Sequence, residues 1–454
     1  MLEIVSPQHH QVIQRDDSDV ASLPIDLRGA PRDVTLELKH PNGEAVACQV
    51  ELTSEGDRVH GVLSGVPTGG PYQLFVPTGE PGEWSIIDQI WVGDLWVLAG
   101  QSNMDGCGKL SGAEPPSDSV SAFYYDDCWD VARDPLCRYN EAADPVHWNA
   151  VEDREEVARW EHTMRTTGAG LGISFGKELV RRLDVPVGLI ACSHGGTSLD
   201  QWDPGLLSEG GRSLYGSMIR RVRAVGGKVR GLLWYQGESD ANPQAAPAYG
   251  EKLAHLIASL RSELDQPDLP VIYVQLGRFY EDPTPEAERC WHLVRQAQLQ
   301  LEPKIAPAAM VAASDLSLDD KIHVDALGLR RLGLRMARAA HVVAYGAEDQ
   351  GEIGPRPGAV EVSEDRRRVT VHFESVTGGL VGTLRVYGFV AKYEGDALLM
   401  EWCGVGDDGV SVMMGFAGPL PDGAELYYNY GLNPQGILLD EWDMPVPCFG
   451  PMKL

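Results

Sequence analysis

The stretch "LWVLAGQSNMDG", residues 95–106, decides the fold because an apolar run in it stops abruptly at a serine. The run ends at Gly100, and Gln101, Ser102 and Asn103 follow directly. A continuous apolar run is typical of a strand that is buried on both faces of a parallel sheet. In open α/β sheets, ligands bind outside the carboxyl ends of the strands. We therefore predict a central strand that presents Ser102 at a ligand site.

Further apolar runs of the same kind alternate with amphipathic helical patterns later in the chain. The runs are "VGLIAC" (187–192), "VRGLLWYQ" (229–236), "VIYVQL" (271–276) and "AMVAAS" (309–314). The helical patterns cover residues 173–183, 213–225, 248–264, 287–302 and 326–344. This alternation predicts an α/β domain with a parallel sheet over residues 93–345. The first crossover, residues 106–173, is much longer than usual, which favours a functional loop.

The two ends of the chain have a different pattern from the middle. Short alternating runs, divided by Gly, Pro and Asp, fill residues 1–92 and 346–454. Such runs are typical of short antiparallel strands. We predict an N-terminal β-sandwich-like domain over 1–92 and a β-rich region over 346–454. The second region either forms a third domain or completes the first.

The net charge and the lengths of the apolar stretches argue against nucleic acid binding and against a membrane span. The 454 residues carry 38 Lys and Arg against 66 Asp and Glu, a net charge of -28, which repels a phosphate backbone and argues against nucleic acid binding. No apolar stretch has the length of a membrane span. The N-terminal residues lack the basic and apolar regions of a signal peptide, so we expect a cytoplasmic location unless a leader has been lost. The oligomeric state stays open.

The cysteines do not point to a metal or redox motif. The eight cysteines include no CxxC pair. Cys128 and Cys137 lie in one loop-rich segment, and the possibility of a disulfide between them stays open. We expect no cofactor and no metal.

The polar residues that follow the strands fit a site for acyl transfer. Ser102 is the candidate nucleophile, and His323 is the base that takes its proton. Asp320 lies three residues earlier, where a turn can orient the imidazole and stabilise its charged form. An oxyanion would need fixed donors. We predict three: the N–H of Ser102, the N–H of Gly195 and the side-chain amide of Gln236.

Four motifs in the middle region together resemble those of the SGNH hydrolases, in the branch of sialate O-acetylesterases and acetylxylan esterases. They are "GQSNM" (100–104), "GGTSLDQW" (195–202), "WYQGESD" (234–240) and "DKIH" (320–323). The resemblance implies a flavodoxin-like three-layer α/β/α core and the same triad and oxyanion donors. Gln236 stands where the wider superfamily has asparagine. The resemblance leaves open which glycine faces the oxyanion; Gly195 is preferred because it precedes "GT".

Other residues near the motifs are candidate substrate contacts: Gln101, Asn103, Gly196, Trp202, Glu238 and Trp148. Trp202 either packs beneath the site or stacks on a sugar. Trp148 belongs to an aromatic group in the long crossover, with Trp129, Tyr139 and His147, which forms either a sugar platform or a small hydrophobic cluster. Glu238 either supports its turn or pairs with Asp240 as in a glycosidase.

Ser102 and His323 can each also be interpreted as a structural residue, and the nearby acids can be interpreted as metal ligands. Ser102 could cap a helix, and His323 could stand at a helix start and face solvent. Asp315, Asp319, Asp320 and His323 could bind a metal. The intact set of motifs favours the catalytic reading.

The sequence thus predicts a serine esterase that deacetylates a sugar through an acyl-enzyme at Ser102. The net charge slightly favours a neutral xylan- or xyloglucan-type substrate over a sialic acid, unless Arg133, Arg138 or Arg278 forms a basic patch. A carbohydrate-binding protein with a decayed site is the alternative. A lipase or thioesterase is disfavoured because the long crossover is too polar for a lid.

Overall fold

The N-terminal residues form two sheets, one of which continues into the centre of the molecule. The structure, a computed structural model, describes residues 2–31, 33–80, 82–148, 153–347, 353–382 and 385–454. The first strands are β1 (Glu3–Ser6), β2 (Val12–Gln14), β3 (Val20–Arg28), β4 (Glu37–Lys39), β5 (Gln49–Glu55), β6 (Arg58–Pro67) and β7 (Gly69–Pro77). An antiparallel sheet has the order β1-β3-β6-β5, whereas β2, β4 and β7 join the central sheet.

The middle region contains the central strands and the helices that cover them. The strands are β8 (Trp84–Gly100), β9 (Gly108–Lys109), β10 (Val120–Phe123), β11 (Trp129–Val131), β12 (Thr167–Ala169), β13 (Val187–Ala191), β14 (Gly231–Tyr235), β15 (Val271–Gln275) and β16 (Ala308–Ala312). The helices are α1 (Ser102–Asp105), α2 (Arg154–Thr163), α3 (Gly172–Leu183), α4 (Leu214–Ala224), α5 (Tyr249–Glu263), α6 (Pro285–Leu301) and α7 (Ala326–Tyr345).

The core sheet confirms the predicted α/β fold class. Its parallel strands have the order β13-β8-β14-β15-β16, which is the flavodoxin-like order. Helix α3 packs with α7, and α5 packs with α6, as expected when right-handed crossovers place helices on both faces. The sequence did not predict β10 and β11, which extend the sheet beside β13. Both strands are short and lie in an Asp-rich segment without clear periodicity.

Strand β8 is the longest strand and belongs to two parts of the fold. Its first half pairs with β7, and its second half lies between β13 and β14. The predicted boundary between residues 92 and 93 therefore falls inside one continuous strand. At its end, Gly100 has φ +138°, and a Cβ there would lie 2.2 Å from the carbonyl oxygen of Tyr235. Only glycine permits this approach of β8 to β14, which sets where the chain turns toward Ser102.

The C-terminal region forms sheets of its own rather than completing the N-terminal ones. Its strands are β17 (Arg356–Val362), β18 (Arg368–Glu374), β19 (Leu380–Val381), β20 (Phe389–Tyr393), β21 (Asp396–Ala397), β22 (Met400–Val405), β23 (Ser411–Phe416), β24 (Glu425–Tyr428), β25 (Leu439–Asp440) and β26 (Phe449–Lys453). The sheets are β17-β18-β23-β22, β21-β20-β24-β26 and β19-β25.

Buried arginines fasten the C-terminal region to the core. Arg295 of α6 is fully buried and donates to the carbonyl groups of Gly277 and Gly431. Arg335 of α7 binds Asp315 at 2.8 Å and the carbonyl group of Asp443 at 2.7 Å. No helix within the described ranges has both the length and the apolar character needed to cross a membrane.

A buried carboxylate on β8 fastens the N-terminal strands to the core. Asp94 is fully buried and accepts hydrogen bonds from Arg15, Arg230 and Tyr345. These partners come from the segment after β2, the approach to β14 and the end of α7. The carboxylate therefore joins segments that are far apart in sequence.

We expect Asp94→Asn to destabilise the protein by about 3 kcal/mol, because two guanidinium groups lose their shared anion. The matched control is Asp19→Asn, which removes an exposed partner of the same Arg15 and should cost less than about 1 kcal/mol. Thermal unfolding followed by circular dichroism checks this, with a fall in Tm of at least about 4 °C for the first variant. Equal Tm values for the two variants would contradict the assignment.

Candidate active site

Three side chains form a hydrogen-bonded chain at the carboxyl edge of the sheet. The Ser102 Oγ lies 2.9 Å from His323 Nε2, and His323 Nδ1 lies 2.7 Å from Asp320 Oδ2. Ser102 begins α1 directly after β8, and His323 lies in the loop between β16 and α7. With the Nδ1 proton directed to Asp320, Nε2 is free to accept the serine proton. The structure therefore does not support Ser102 as a helix cap, nor His323 as a histidine that faces solvent.

Asp320 is held as an anion by its own turn. Its Oδ1 accepts the backbone N–H groups of Ile322 and His323, both at 2.8 Å. Partial burial acts to raise its pKa, but these two hydrogen bonds and the His323 ring outweigh it and lower the pKa below its usual value. The carboxylate therefore fixes both the position and the tautomer of the histidine.

Asn103 connects the serine to the histidine loop. Its Oδ1 accepts the backbone N–H of Val324 at 2.9 Å, and its Nδ2 donates to Glu238 Oε1 at 2.8 Å. Asn103 is fully buried. Burial raises the pKa of Glu238, and its other oxygen has no hydrogen-bond partner among the described residues. Asn103 is thus a brace between Ser102 and His323 rather than a substrate contact.

An open cleft of about 510 Å³ surrounds the serine and the histidine. Its lining consists of Gln101, Ser102, Asp105, Gly106, Cys107, Cys137, Tyr139, Arg165, Gly195, Gly196, Glu238, Ser239, Ile322 and His323. Among the predicted contacts, Gln101, Gly196 and Glu238 lie in this lining. The long crossover supplies Tyr139, Arg165 and other members, so it does form part of the cleft wall.

Two of the predicted oxyanion donors are already used inside the protein. Gln236 is fully buried, and its amide nitrogen donates to the Thr197 carbonyl oxygen at 3.0 Å and to Asp240. The Gly195 N–H donates to the Tyr139 hydroxyl oxygen at 2.7 Å. The prediction for Gln236 is therefore corrected: its amide supports the loops behind the cleft. The prediction for Gly195 is corrected as well, because Tyr139 occupies its N–H.

Other donors on the cleft lining remain available. Within the ranges that the structure describes, the N–H groups of Ser102 and Gly196 and the Gln101 amide nitrogen have no hydrogen-bond acceptor. The Gln101 side chain is oriented because its oxygen accepts the N–H groups of Gly237 and Ser239 at 3.3 Å. Gly196 has φ +71°, which suits glycine at this turn.

The two predicted tryptophan contacts do not reach the cleft. Trp202 is fully buried, donates to Thr197 Oγ1 at 2.9 Å and packs edge-on against Trp234. Trp148 is on the surface, where the Arg154 guanidinium lies 4.1 Å from its ring centre. The aromatic platform is thus corrected: Trp129 packs on Phe123 in the core, and of that group only Tyr139 lines the cleft.

The geometry argues against the remaining interpretations, which are a metal site, a glycosidase pair and a disulfide. Asp315 pairs with Arg335, and Asp319 accepts from the Lys109 backbone, so neither joins Asp320 in a ligand set. In the part of the chain described, no group of His, Cys, Asp and Glu is suited to a metal ion. Asp240 accepts from Gln236 and Leu199 and is not in the cleft lining, which argues against a glycosidase pair. All eight cysteines are free thiols, so Cys128 and Cys137 form no disulfide.

Several residues of the lining were not predicted, among them Asp105 and Arg165, whereas Tyr139 was predicted only as a member of the aromatic group in the long crossover. Arg165 donates to the Cys137 carbonyl oxygen at 3.1 Å, and no carboxylate within the described ranges pairs with it. In contrast, Arg138 lies over Tyr124, and Arg278 donates to the Leu316 carbonyl oxygen. Asp105 lies three residues after Ser102, which was a usable signal. Nothing in the sequence around Arg165 distinguishes it from its neighbours.

The fold and the site have known relatives. Residues 92–342 match the family model described as carbohydrate esterase, sialic acid-specific acetylesterase. A probable carbohydrate esterase of Arabidopsis thaliana is 31% identical over 268 residues, which cover 54% of this chain and 89% of that protein. Human sialate O-acetylesterase is 23% identical over 364 residues, covering 72% of this chain and 68% of that protein. The crystal structure of a carbohydrate acetylesterase from Xanthomonas citri has TM-score 0.69 at 22% identity and covers 99% of both chains.

We expect Asn103→Ala to slow the reaction of Ser102 with a fluorophosphonate at least about tenfold, because the histidine loop loses its brace and a small displacement is costly. The adduct is followed by intact mass, and Ser102→Ala should give none. Ser239→Ala is the matched control, since Ser239 lines the cleft outside the hydrogen-bonded chain. A wild-type rate in Asn103→Ala would contradict the bracing role.

Proposed function

The chain belongs to the sialic acid-specific acetylesterase family of carbohydrate esterases, and we propose that it removes O-acetyl groups from sugars through an acetyl-enzyme at Ser102. The observation that carries the mechanism is the contact of 2.9 Å between Ser102 Oγ and His323 Nε2 inside an open cleft. A serine hydroxyl needs such a base to become a nucleophile. The intact series of hydrogen bonds from Ser102 through His323 to Asp320 argues against a carbohydrate-binding protein with a decayed site.

In the first half of the reaction, Ser102 Oγ attacks the acetyl carbonyl carbon while its proton passes to His323 Nε2. Asp320 stabilises the imidazolium that forms. The free N–H groups of Ser102 and Gly196 and the Gln101 amide support the developing oxyanion. When the tetrahedral intermediate collapses, the sugar oxygen takes the proton from His323 and leaves as an alcohol.

In the second half, water replaces the sugar. His323 accepts a proton from the water, whose oxygen attacks the acetyl carbon bound to Ser102. Collapse of the second tetrahedral intermediate breaks the bond to Ser102 Oγ and returns the proton to it. Acetate leaves, and the hydrogen-bonded chain is restored. The proton transfers between Ser102 and His323 use side chains that already lie within hydrogen-bond distance.

The cleft favours a sugar that carries a carboxylate, such as a sialic acid. Arg165 lines the cleft without an acidic partner among the described residues, although the chain as a whole is strongly acidic. Guanidinium groups bind carboxylates with paired hydrogen bonds. This local cation supports an anionic substrate against the neutral xylan-type substrate that the net charge alone favours. The name of the human relative, sialate O-acetylesterase, is consistent with this choice.

The serine mechanism is tested by acetate release from p-nitrophenyl acetate and from acetylated sugars. We expect turnover by the wild type and a loss of at least about a thousandfold in Ser102→Ala, because the nucleophile is gone. Ser239→Ala is again the control and should retain wild-type rates. Equal rates for the wild type and Ser102→Ala would instead favour the binding protein.

The substrate class is tested with Arg165→Gln. For O-acetylated sialic acid, kcat/KM should fall about 10- to 100-fold, which corresponds to a charge-assisted contact. Rates with acetylated xylan and p-nitrophenyl acetate should change less than about threefold. Arg133→Gln makes the same change of charge at an exposed site nearby and should leave all substrates unaffected. A preference of the wild type for acetylated xylan or xyloglucan would identify the neutral sugar instead.

A further inference from the structure

The proposed esterase has an unexpected group in its oxyanion region, the Tyr139 hydroxyl. Its oxygen accepts the Gly195 N–H at 2.7 Å, and its proton is directed to the Asp105 carboxylate. The Gly195 N–H therefore already has an acceptor and is not free for an ester bound at Ser102. We infer that Tyr139, positioned by Asp105, replaces the Gly195 N–H as a hydrogen-bond donor to the oxyanion. This inference rests on the proposed function, because it assumes that Ser102 is the nucleophile.

The Tyr139 hydroxyl borders the same small space as the nucleophile. A Cβ placed on Gly195 would lie 3.6 Å from the Tyr139 hydroxyl oxygen and also 3.6 Å from Ser102 Cβ. It would lie 3.2 Å from Asp105 Oδ2. Both Ser102 and Tyr139 line the cleft. A carbonyl oxygen presented to Ser102 therefore comes within reach of the phenol.

The ring of Tyr139 is held too firmly to move aside for the substrate. It stacks on His194, with ring centres 4.4 Å apart and planes at 13°. Tyr125 packs edge-on against it with ring centres 6.0 Å apart. His147 stacks with the ring as well, at 6.2 Å. Swinging the phenol out would break all these contacts, and a fixed donor is what stabilisation of a developing charge requires.

Asp105 decides where the Tyr139 proton points. As a carboxylate it can only accept, so it takes the phenol proton and adds a negative charge beside the oxyanion. As a neutral acid it can donate to the phenol oxygen, which releases the phenol proton toward the cleft. Burial raises the pKa of Asp105 to about 6, although its hydrogen bonds with Tyr139, Ser193 and Cys137 act against this. Asp105 is therefore a positioning residue, whereas Tyr139 is the catalytic one.

Several ionisable groups surround Asp105, and one of them, Asp134, also titrates between pH 5 and 8 because burial raises its pKa to about 7. Burial raises the pKa of Cys107 to about 12 and that of Cys137, Tyr125 and Tyr139 well above their usual values. Arg165 acts to lower the pKa of Asp105. Asp134 and the proposed general base His323 are both present in the wild type and in variants of Asp105. A ratio of rates therefore isolates Asp105.

The test is the rate at which a fluorophosphonate modifies Ser102, since the phosphonyl oxygen uses the same oxyanion donors as an acetyl group and no sugar is needed. Tyr139→Phe keeps the stacked ring and removes only the hydroxyl. We expect its rate constant to fall about 100-fold, as for loss of one oxyanion donor, with Tm measured alongside. A rate equal to or above that of the wild type overturns the inference, because the released Gly195 N–H then serves as the donor and Tyr139 was only an obstacle.

Asp105→Asn gives a second and independent measurement that does not depend on the folding of Tyr139→Phe. The amide is neutral at every pH and can still donate to the phenol oxygen. The ratio of its rate to the wild-type rate should rise from about one at pH 5 to at least about threefold at pH 8, whereas a constant ratio overturns the positioning role.

The experiments distinguish failure of the proposed acetylesterase from failure of the donor role of Tyr139. A wild type that is labelled but releases no acetate overturns the acetylesterase alone, and an unlabelled wild type overturns both.

Discussion

The burial of β8 on both faces is the constraint on which the site depends. Every residue from Ile90 to Gly100 is buried, so this part of the strand can only run through the centre of the molecule. The close approach at Gly100, where a side chain would collide with Tyr235, fixes the point at which the chain leaves the sheet. Ser102 follows within one turn. The proposed nucleophile is therefore positioned by the packing of the core and not by a flexible loop.

The histidine needs a different kind of support because its strand, β16, is separated from β8 by two others. The loop after β16 must return along the sheet edge, and it does so through a series of hydrogen bonds. Lys109 donates to Asp319, Tyr280 donates to the carbonyl group of Lys321, and Asn103 accepts from Val324. Each partner lies on another segment at the same edge. Several neighbouring segments thus hold His323 in contact with Ser102. Among them, Asn103 directly follows Ser102 and also binds the histidine loop.

The sequence was sufficient for the fold of the core, because buried strands appear as apolar runs. It was also sufficient to bring Ser102, Asp320 and His323 together, because residues that follow parallel strands meet at one edge of the sheet. It was not sufficient for the oxyanion donors. The Gln236 amide and the Gly195 N–H have the right chemistry, but their acceptors, the Thr197 carbonyl oxygen and the Tyr139 hydroxyl, lie on other loops. Tyr139 belongs to the long crossover, where no periodic pattern indicates which side chains turn inward. Trp202 shows the same limit, since the residue type fits both a sugar contact and a buried packing residue.

The net charge of -28 is a poor guide to the field inside the cleft. Burial raises the pKa values of both Asp105 and Glu238, so each holds its proton to a higher pH than an exposed acid does. The acids that make the chain anionic are mostly exposed and screened by salt, whereas Arg165 lies in the cleft wall itself. Toward acidic pH these two acids of the cleft lining thus lose their negative charge before exposed acids do. An anionic sugar that is repelled at a distance can still be bound at contact, and composition alone could not have revealed this difference.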